Sequence, residues 1–89
     1  MINTFGEMKR VSGHFFDPDT MRFFKSRVAP WVYPVADGCL FVTSERYGNG
    51  PRTYRVRLCT DDGDFTTLRE FKSRNGAHKA AQRMAATMQ

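Results

Sequence analysis

Apolar residues recur along this chain with two different periods, and each period predicts elements. The first is helical. Met21, Phe24 and Val28 stand at i, i+3 and i+7, which places one apolar face on a helix over 18–28. Arg22, Lys25 and Ser26 point elsewhere, and Phe23 and Arg27 lie on a second flank. The start of this helix is written in detail. Asp17 can cap the free N–H groups of the first turn, and Pro18 suits the first helical position. Asp19 places negative charge at the positive end of the helix dipole. Phe16 and Met21 can close over the turn as a hydrophobic staple. Pro30 requires the helix to stop before it, and 29–34, with Pro30, Trp31 and Pro34, reads as a rigid extended connector.

The second period is two. Over 38–46, Leu40 and Val42 alternate with Cys39, Phe41 and Thr43, as in a strand. Over 53–59, Tyr54, Val56 and Leu58 face one side, and Thr53, Arg55, Arg57 and Cys59 the other. Gly48-Asn49-Gly50-Pro51 separates the two as a loop. Asp61-Asp62-Gly63-Asp64 reads as a hairpin turn, with Asp62-Gly63 at positive φ, leading to a short third strand over 65–68. Residues 69–74 lead into a last helix capped by Ser73 or Asn75. Its buried stripe is Ala77, Ala80, Ala81, Met84 and Met88, where the alanines allow close approach to a sheet. Residues 1–14 are mixed, with 7–11 either an edge strand or an ordered arm.

These elements predict one α+β domain over 1–89: a helix, a three-stranded antiparallel meander and a second helix. Short connections favour the meander, and both helices are expected on one sheet face in a two-layer arrangement. The expected core is Met21, Phe24, Val28, Leu40, Val42, Tyr54, Val56, Leu58, Ala81 and Met84. The high apolar fraction, with eight Phe, argues for a folded chain.

Charge narrows the function. Fourteen Lys and Arg face nine acids, for a net charge of +5. Ten of those bases are Arg, the side chain suited to planar, bidentate contact with phosphate or carboxylate. No apolar run is long enough for a membrane span, and residues 1–10 lack a signal-peptide core, so a cytoplasmic location and no membrane partner are expected. Cys39 and Cys59 cannot make a disulfide framework and read as reduced, buried thiols.

Candidate chemistry is sparse. His14 and His78 sit in no recognisable catalytic motif, and His78 falls in the first turn of the last helix, on or near its solvent side. Cys39, Cys59, His14 and His78 lack the close paired spacing of a structural zinc site. The aspartates at 61, 62 and 64 lack the alternating ligands and closing Glu of an EF-hand loop. No phosphate-binding Gly-rich loop is present. The chain therefore reads as no enzyme, with no cofactor and no metal.

Basic surface remains. One group is Arg46, Arg52, Arg55 and Arg57. A second is Arg69, Lys72, Arg74, Lys79 and Arg83 around the start of the last helix, where Lys79 and Arg83 stand one turn apart. Arg46, Arg52, Arg55, Arg57, Lys72, Arg74, Lys79 and Arg83 are the expected partner-binding residues, partly offset by Glu45, Glu70 and the turn aspartates. An apolar patch around Phe23, Trp31 and Tyr33 is the next candidate.

The block from Phe15 to Arg27, followed by Phe41-Val42-Thr43-Ser44-Glu45 and Tyr54-Arg55-Val56-Arg57, resembles a family of small proteins from phages and other mobile elements. The resemblance covers roughly 15–86 and carries no established chemistry. It implies a setting in which small non-enzymatic proteins, anti-CRISPR proteins among them, inhibit host machinery by binding it. The element order is also similar to that of the double-stranded RNA-binding domain. Gly50-Pro51-Arg52-Thr53-Tyr54 and Ala77-His78-Lys79-Ala80-Ala81 fall where that domain has its Gly-Pro loop and its basic, alanine-rich helix, although the lysine cluster is reduced to Lys72, Arg74 and Lys79. The leading expectation is a binding protein that inhibits a host defence complex, whether protein or ribonucleoprotein. The alternative is a module that binds RNA or DNA directly.

Overall fold

The structure is a computed structural model and describes residues 1–19, 27–29 and 31–89. The chain begins with a helix, α1 (Phe5–Ser12), followed by a 3-10 turn over Gly13–Phe16. Thr4 caps α1 by accepting from the Glu7 N–H at 3.1 Å, and the Glu7 carboxylate accepts from the Asn3 N–H at 3.0 Å. This is close to a capping box, in which Thr and Glu three residues apart satisfy free donors reciprocally. The edge strand or arm expected over 7–11 is therefore replaced by a capped helix.

Five strands follow: β1 (Arg27–Val28), β2 (Tyr33–Val35), β3 (Gly38–Glu45), β4 (Thr53–Thr60) and β5 (Phe65–Phe71). All described pairings are antiparallel. β1 and β2 lie end to end along the outer edge of β3, pairing with Thr43–Ser44 and Gly38–Leu40 respectively. The sheet is thus four strands wide, with a broken edge, then β3, β4 and β5, rather than the expected three-stranded meander. Pro34, expected in a connector, sits in β2 opposite Cys39. An edge strand tolerates a residue with no N–H to donate.

The helix expected over 18–28 is described only in part. Asp17 accepts from the Asp19 N–H at 2.8 Å, as a capping residue does. Residues 20–26, with the expected core positions Met21 and Phe24 and the patch residue Phe23, lie outside the described residues. Val28 does not end a helix: it pairs with Thr43, and the Ala29 N–H continues the edge by donating to the Val42 carbonyl. β5 also runs past its expected end at 68. A bulge opposite Val56 and Arg57 puts one extra residue in β5, which breaks the alternation there.

The last helix, α2 (Arg74–Thr87), is capped by Ser73, whose hydroxyl accepts from the Gly76 N–H at 3.0 Å. It buries Ala77, Ala80, Ala81 and Ala85. Ala77, Ala81 and Ala85 pack with Val35, Leu40, Val42 and Val56, while Tyr54, Leu58 and Met84 pack there half-buried. On the opposite sheet face, Ile2, Met8, Cys39, Phe41 and Cys59 form a second cluster with Phe5, Phe15, Phe16, Val28 and Phe65. The molecule therefore has two cores, with α1 and α2 on opposite faces of the sheet. The described helices thus flank the sheet instead of sharing one face as expected, while most of the helix expected over 18–28 lies outside the described residues. β3 is the reason: both Leu40 and Val42 on one side and Cys39 and Phe41 on the other are fully or almost fully buried, so both faces need cover.

Gly63 fixes the seam between α1 and the β4–β5 hairpin. Its φ of 88° closes the turn, where its N–H donates to the Thr60 carbonyl. A Cβ at this position would lie 2.1 Å from the Val11 carbonyl oxygen.

Candidate functional site

The strand register sorts charge to the two ends of the sheet. Gly38 pairs with Thr60 and Glu45 with Thr53, while Cys59 pairs with Phe65 and Tyr54 with Phe71. The β2–β3 and β4–β5 turns therefore share one end, where they carry Asp37, Asp61, Asp62 and Asp64. The β3–β4 loop, the β5–α2 link and the start of α2 share the other end, where they carry Arg46, Arg52, Lys72 and Arg74. Residues 46–52 and 72–87, which include the whole of α2, contain no carboxylate side chain. Lys79 and Arg83 extend the basic region along the exposed side of α2.

On the α2 face near this basic end lies a cavity of about 340 Å³. Ala29, Val42 and Tyr54 supply its apolar walls, Val28 borders it from β1 while packing into the α1-side core, and Ser44, Arg52, Arg74 and His78 supply its polar walls. Arg52 donates from Nη1 to the Ser44 hydroxyl at 3.1 Å. The Arg74 guanidinium sits over the Trp31 ring, 5.3 Å from its centroid. Among the described residues no carboxylate lines the cavity, so none of them neutralises its two guanidiniums from within.

His78 is the best-defined group of the site. Its Nδ1 receives the Trp31 indole N–H at 3.0 Å and stands 2.8 Å from the Tyr33 hydroxyl. The indole N–H also lies 3.0 Å from the Tyr33 hydroxyl, so Trp31, Tyr33 and His78 form one hydrogen-bonded cluster that occupies Nδ1 and leaves Nε2 as the ring's second polar atom. That Nε2 is buried with no hydrogen-bond partner among the described residues. Burial, and then the Arg74 charge, push the His78 pKa below its ordinary value of 6.5. The folded state thus favours the neutral ring, whereas the unfolded chain takes up its proton at the ordinary value. The stability contributed by this shift is full above about pH 6.5 and is lost as the pH falls through the lower folded value. Urea midpoints measured at pH 7.5 and pH 5 should therefore fall further in the wild type than in His78→Gln. An equal drop in both would remove His78 as the titrating group.

The expected binding residues divide between the two faces. Arg46, Arg52, Lys72, Arg74, Lys79 and Arg83 lie at the basic end or along α2. Arg55 and Arg57 point to the α1 face and are held there by Glu45, a carboxylate only 2% exposed. Arg55 reaches Glu45 at 3.2 Å and Glu70 at 3.2 Å, and Arg57 pairs with Glu45, donates to the Thr43 hydroxyl at 3.0 Å and lies over the Phe15 ring. These two are structural cations held by Glu45 at the edge of the second core. His78, expected near solvent, is instead half-buried against Trp31 and Tyr33, and Ser44 and Tyr54 join the cavity wall. The sequence carries no local signal for this cluster, because Trp31, Tyr33 and the start of α2 meet only in the fold.

Cys39 and Cys59 are free thiols, opposite each other on β3 and β4. Burial, as the largest cause, raises their pKa values to about 12 and about 11, so both are protonated and poor nucleophiles or metal ligands near neutral pH. They face α1, whereas His78 lies on the α2 face, so these groups do not converge.

The chain belongs to a family of unknown function (DUF7447), which matches residues 3–85. No curated protein and no solved structure matches it.

Proposed function

We propose that this is a non-enzymatic binding protein that engages the phosphate backbone of a nucleic acid through the basic end of its sheet. Arg46, Arg52, Lys72 and Arg74 form the contact, and Lys79 and Arg83 extend it along α2. The observation that carries this reading is the separation of charge. Four aspartates occupy the far end of the sheet, and Glu45 and Glu70 are engaged by Arg55 and Arg57. Arg46, Arg52, Lys72, Arg74, Lys79 and Arg83 therefore form a basic region of the described surface whose own segments, 46–52 and 72–87, carry no carboxylate. Arginine-rich surface of this kind suits phosphate, which accepts bidentate contacts.

Fluorescence anisotropy with a labelled oligonucleotide tests the proposal. Each neutralised phosphate releases counterion, so with about four phosphates engaged the plot of log K against log salt falls with a slope of roughly −3 to −4. The Arg52→Glu/Arg74→Glu double variant should weaken binding roughly tenfold or more while keeping its melting temperature. Salt-independent binding, or binding unchanged by the double reversal, overturns the reading.

Inhibition of a host defence complex is the second reading. Trp31, 42% exposed beside Arg74, favours it, because Trp and Arg together are typical anchors of protein interfaces. Pull-down from host lysate separates the two. A discrete protein or ribonucleoprotein complex that survives nuclease treatment supports the inhibitor, and loss of all partners supports the nucleic-acid module.

A further inference from the structure

We infer that the cavity between the β1 edge, β3, β4 and the first turn of α2 takes one unpaired nucleotide, so that the basic end selects single-stranded over duplex nucleic acid. The inference rests on the nucleic-acid reading above and specifies its ligand.

Three features of the cavity support it. The first is size. At about 340 Å³ the cavity lies at the lower end of small-ligand sites, which run from roughly 300 to 1,000 Å³. That suits a single nucleotide and is too small for a stacked pair. The second is the division of its walls. Arg52 and Arg74 place two guanidiniums on one side with no carboxylate among the lining residues, which is chemistry for a phosphate. Ala29, Val42 and the Tyr54 ring form an apolar side, which is chemistry for the face of a base. A free phosphate uses only the first side, and an apolar molecule only the second.

The third feature is His78. It lines the cavity, its Nδ1 is occupied by Trp31 and Tyr33, and its buried Nε2 has no partner among the described residues. An unpaired buried polar atom is costly, and a base edge, which carries both donors and acceptors, removes that cost once the ring turns toward it. Trp31 is a positioning residue here: it holds both the His78 ring and the Arg74 guanidinium. In a duplex every base is stacked and paired, so none can enter such a cavity without being pulled out of the helix. A single strand offers its bases at much lower cost.

The experiment compares short oligo(dT) and oligo(U) strands with duplexes of equal length at one salt concentration. Uridine monophosphate and inorganic phosphate are titrated as the smallest probes, followed by NMR of the His78 ring and of the Arg52 and Arg74 guanidinium groups. Single strands should bind roughly tenfold tighter than duplexes, the effect of one stacked base. The oligo(dT) and oligo(U) arms show whether the site accepts DNA, RNA or both. The monophosphate should shift His78 and both arginines, whereas inorganic phosphate should shift the arginines alone. Ala29→Leu fills the apolar side without touching a charge, and should erase the preference for single strands. His78→Phe keeps a ring and removes its polar nitrogens, and should lower single-strand affinity. The NMR titration of the wild type stands even if either variant fails to fold. Equal affinity for single strands and duplexes, or identical shifts from the monophosphate and phosphate, overturns the nucleotide site and leaves the basic-end reading in place. No binding to any oligonucleotide overturns both.

Discussion

Phe41→Ala should destabilise the fold by about 3–5 kcal/mol, the usual cost of removing a large buried aromatic ring. Phe41 is fully buried at the centre of the α1-side core. Its ring meets Phe15 edge-on at 5.9 Å and Phe65 at 5.6 Å, and Phe15 stacks on Phe65 at 4.2 Å. Truncation therefore opens a cavity under three elements at once: α1 with its 3-10 turn, β3 and β5. Small domains have total stabilities of roughly 5–15 kcal/mol, so the loss is a large fraction of the whole. Thermal melts followed by circular dichroism should show a fall of roughly 15–30 °C. Val11→Ala, at an exposed position of α1, serves as the control and should melt with the wild type. A Phe41→Ala melt within a few degrees of the wild type would mean that α1 does not cover this face in solution.

That second core marks the main point at which the fold was only partly legible from the sequence. The β3 and β4 strands and α2 follow directly from alternation, from the alanine stripe and from the Ser73 cap. The run Cys39-Leu40-Phe41-Val42 carried a further signal. A strand that is apolar on both sides must be covered on both sides, which is incompatible with two helices on one face. α1 was hidden because its apolar stripe is thin: Met8 is its one fully buried large side chain, and Val11 is exposed. Its Thr4-Phe5-Gly6-Glu7 start nevertheless has the capping-box spacing. β2 was masked by Pro34, and the end of β5 by a bulge that breaks its alternation.

The site divides along the same line. An excess of arginine is a property of composition, but its concentration at one end depends on register, since loops distant in sequence meet only when strands pair. The His78 cluster joins residues 47 apart along the chain, and no local pattern announces it. Arg55 and Arg57 show the opposite failure. Alternation places them opposite Tyr54, Val56 and Leu58, on what reads as a polar, solvent-facing side. The fold covers that side with α1 and supplies Glu45 as a buried counter-charge.

Glu45→Ala should cost about 3–5 kcal/mol, as does removal of one partner from a buried ion pair. The Glu45 carboxylate accepts from Arg55 Nη1 at 3.2 Å, from Arg57 Nη2 and from the Tyr47 hydroxyl at 3.0 Å. Truncation leaves two guanidiniums facing each other in a site where the Arg57 side chain is only 15% exposed. Their repulsion and lost hydration, rather than the lost contact area, dominate the cost. The Glu45→Leu/Arg57→Met double variant should therefore recover much of the loss, because apolar side chains of similar size remove the uncompensated charge together with its partner. A double-mutant cycle on urea midpoints measures this coupling directly. The same variants test the division of the basic residues. Arg55→Ala should lower stability through its lost pairs to Glu45 and Glu70, yet leave oligonucleotide affinity within about twofold, because it lies on the face away from Arg52 and Arg74. A Glu45→Ala cost below about 1 kcal/mol would identify the cluster as a solvated surface pair of the ordinary weak kind. Arg55 and Arg57 would then be available to a partner, and the binding surface would extend to the α1 face.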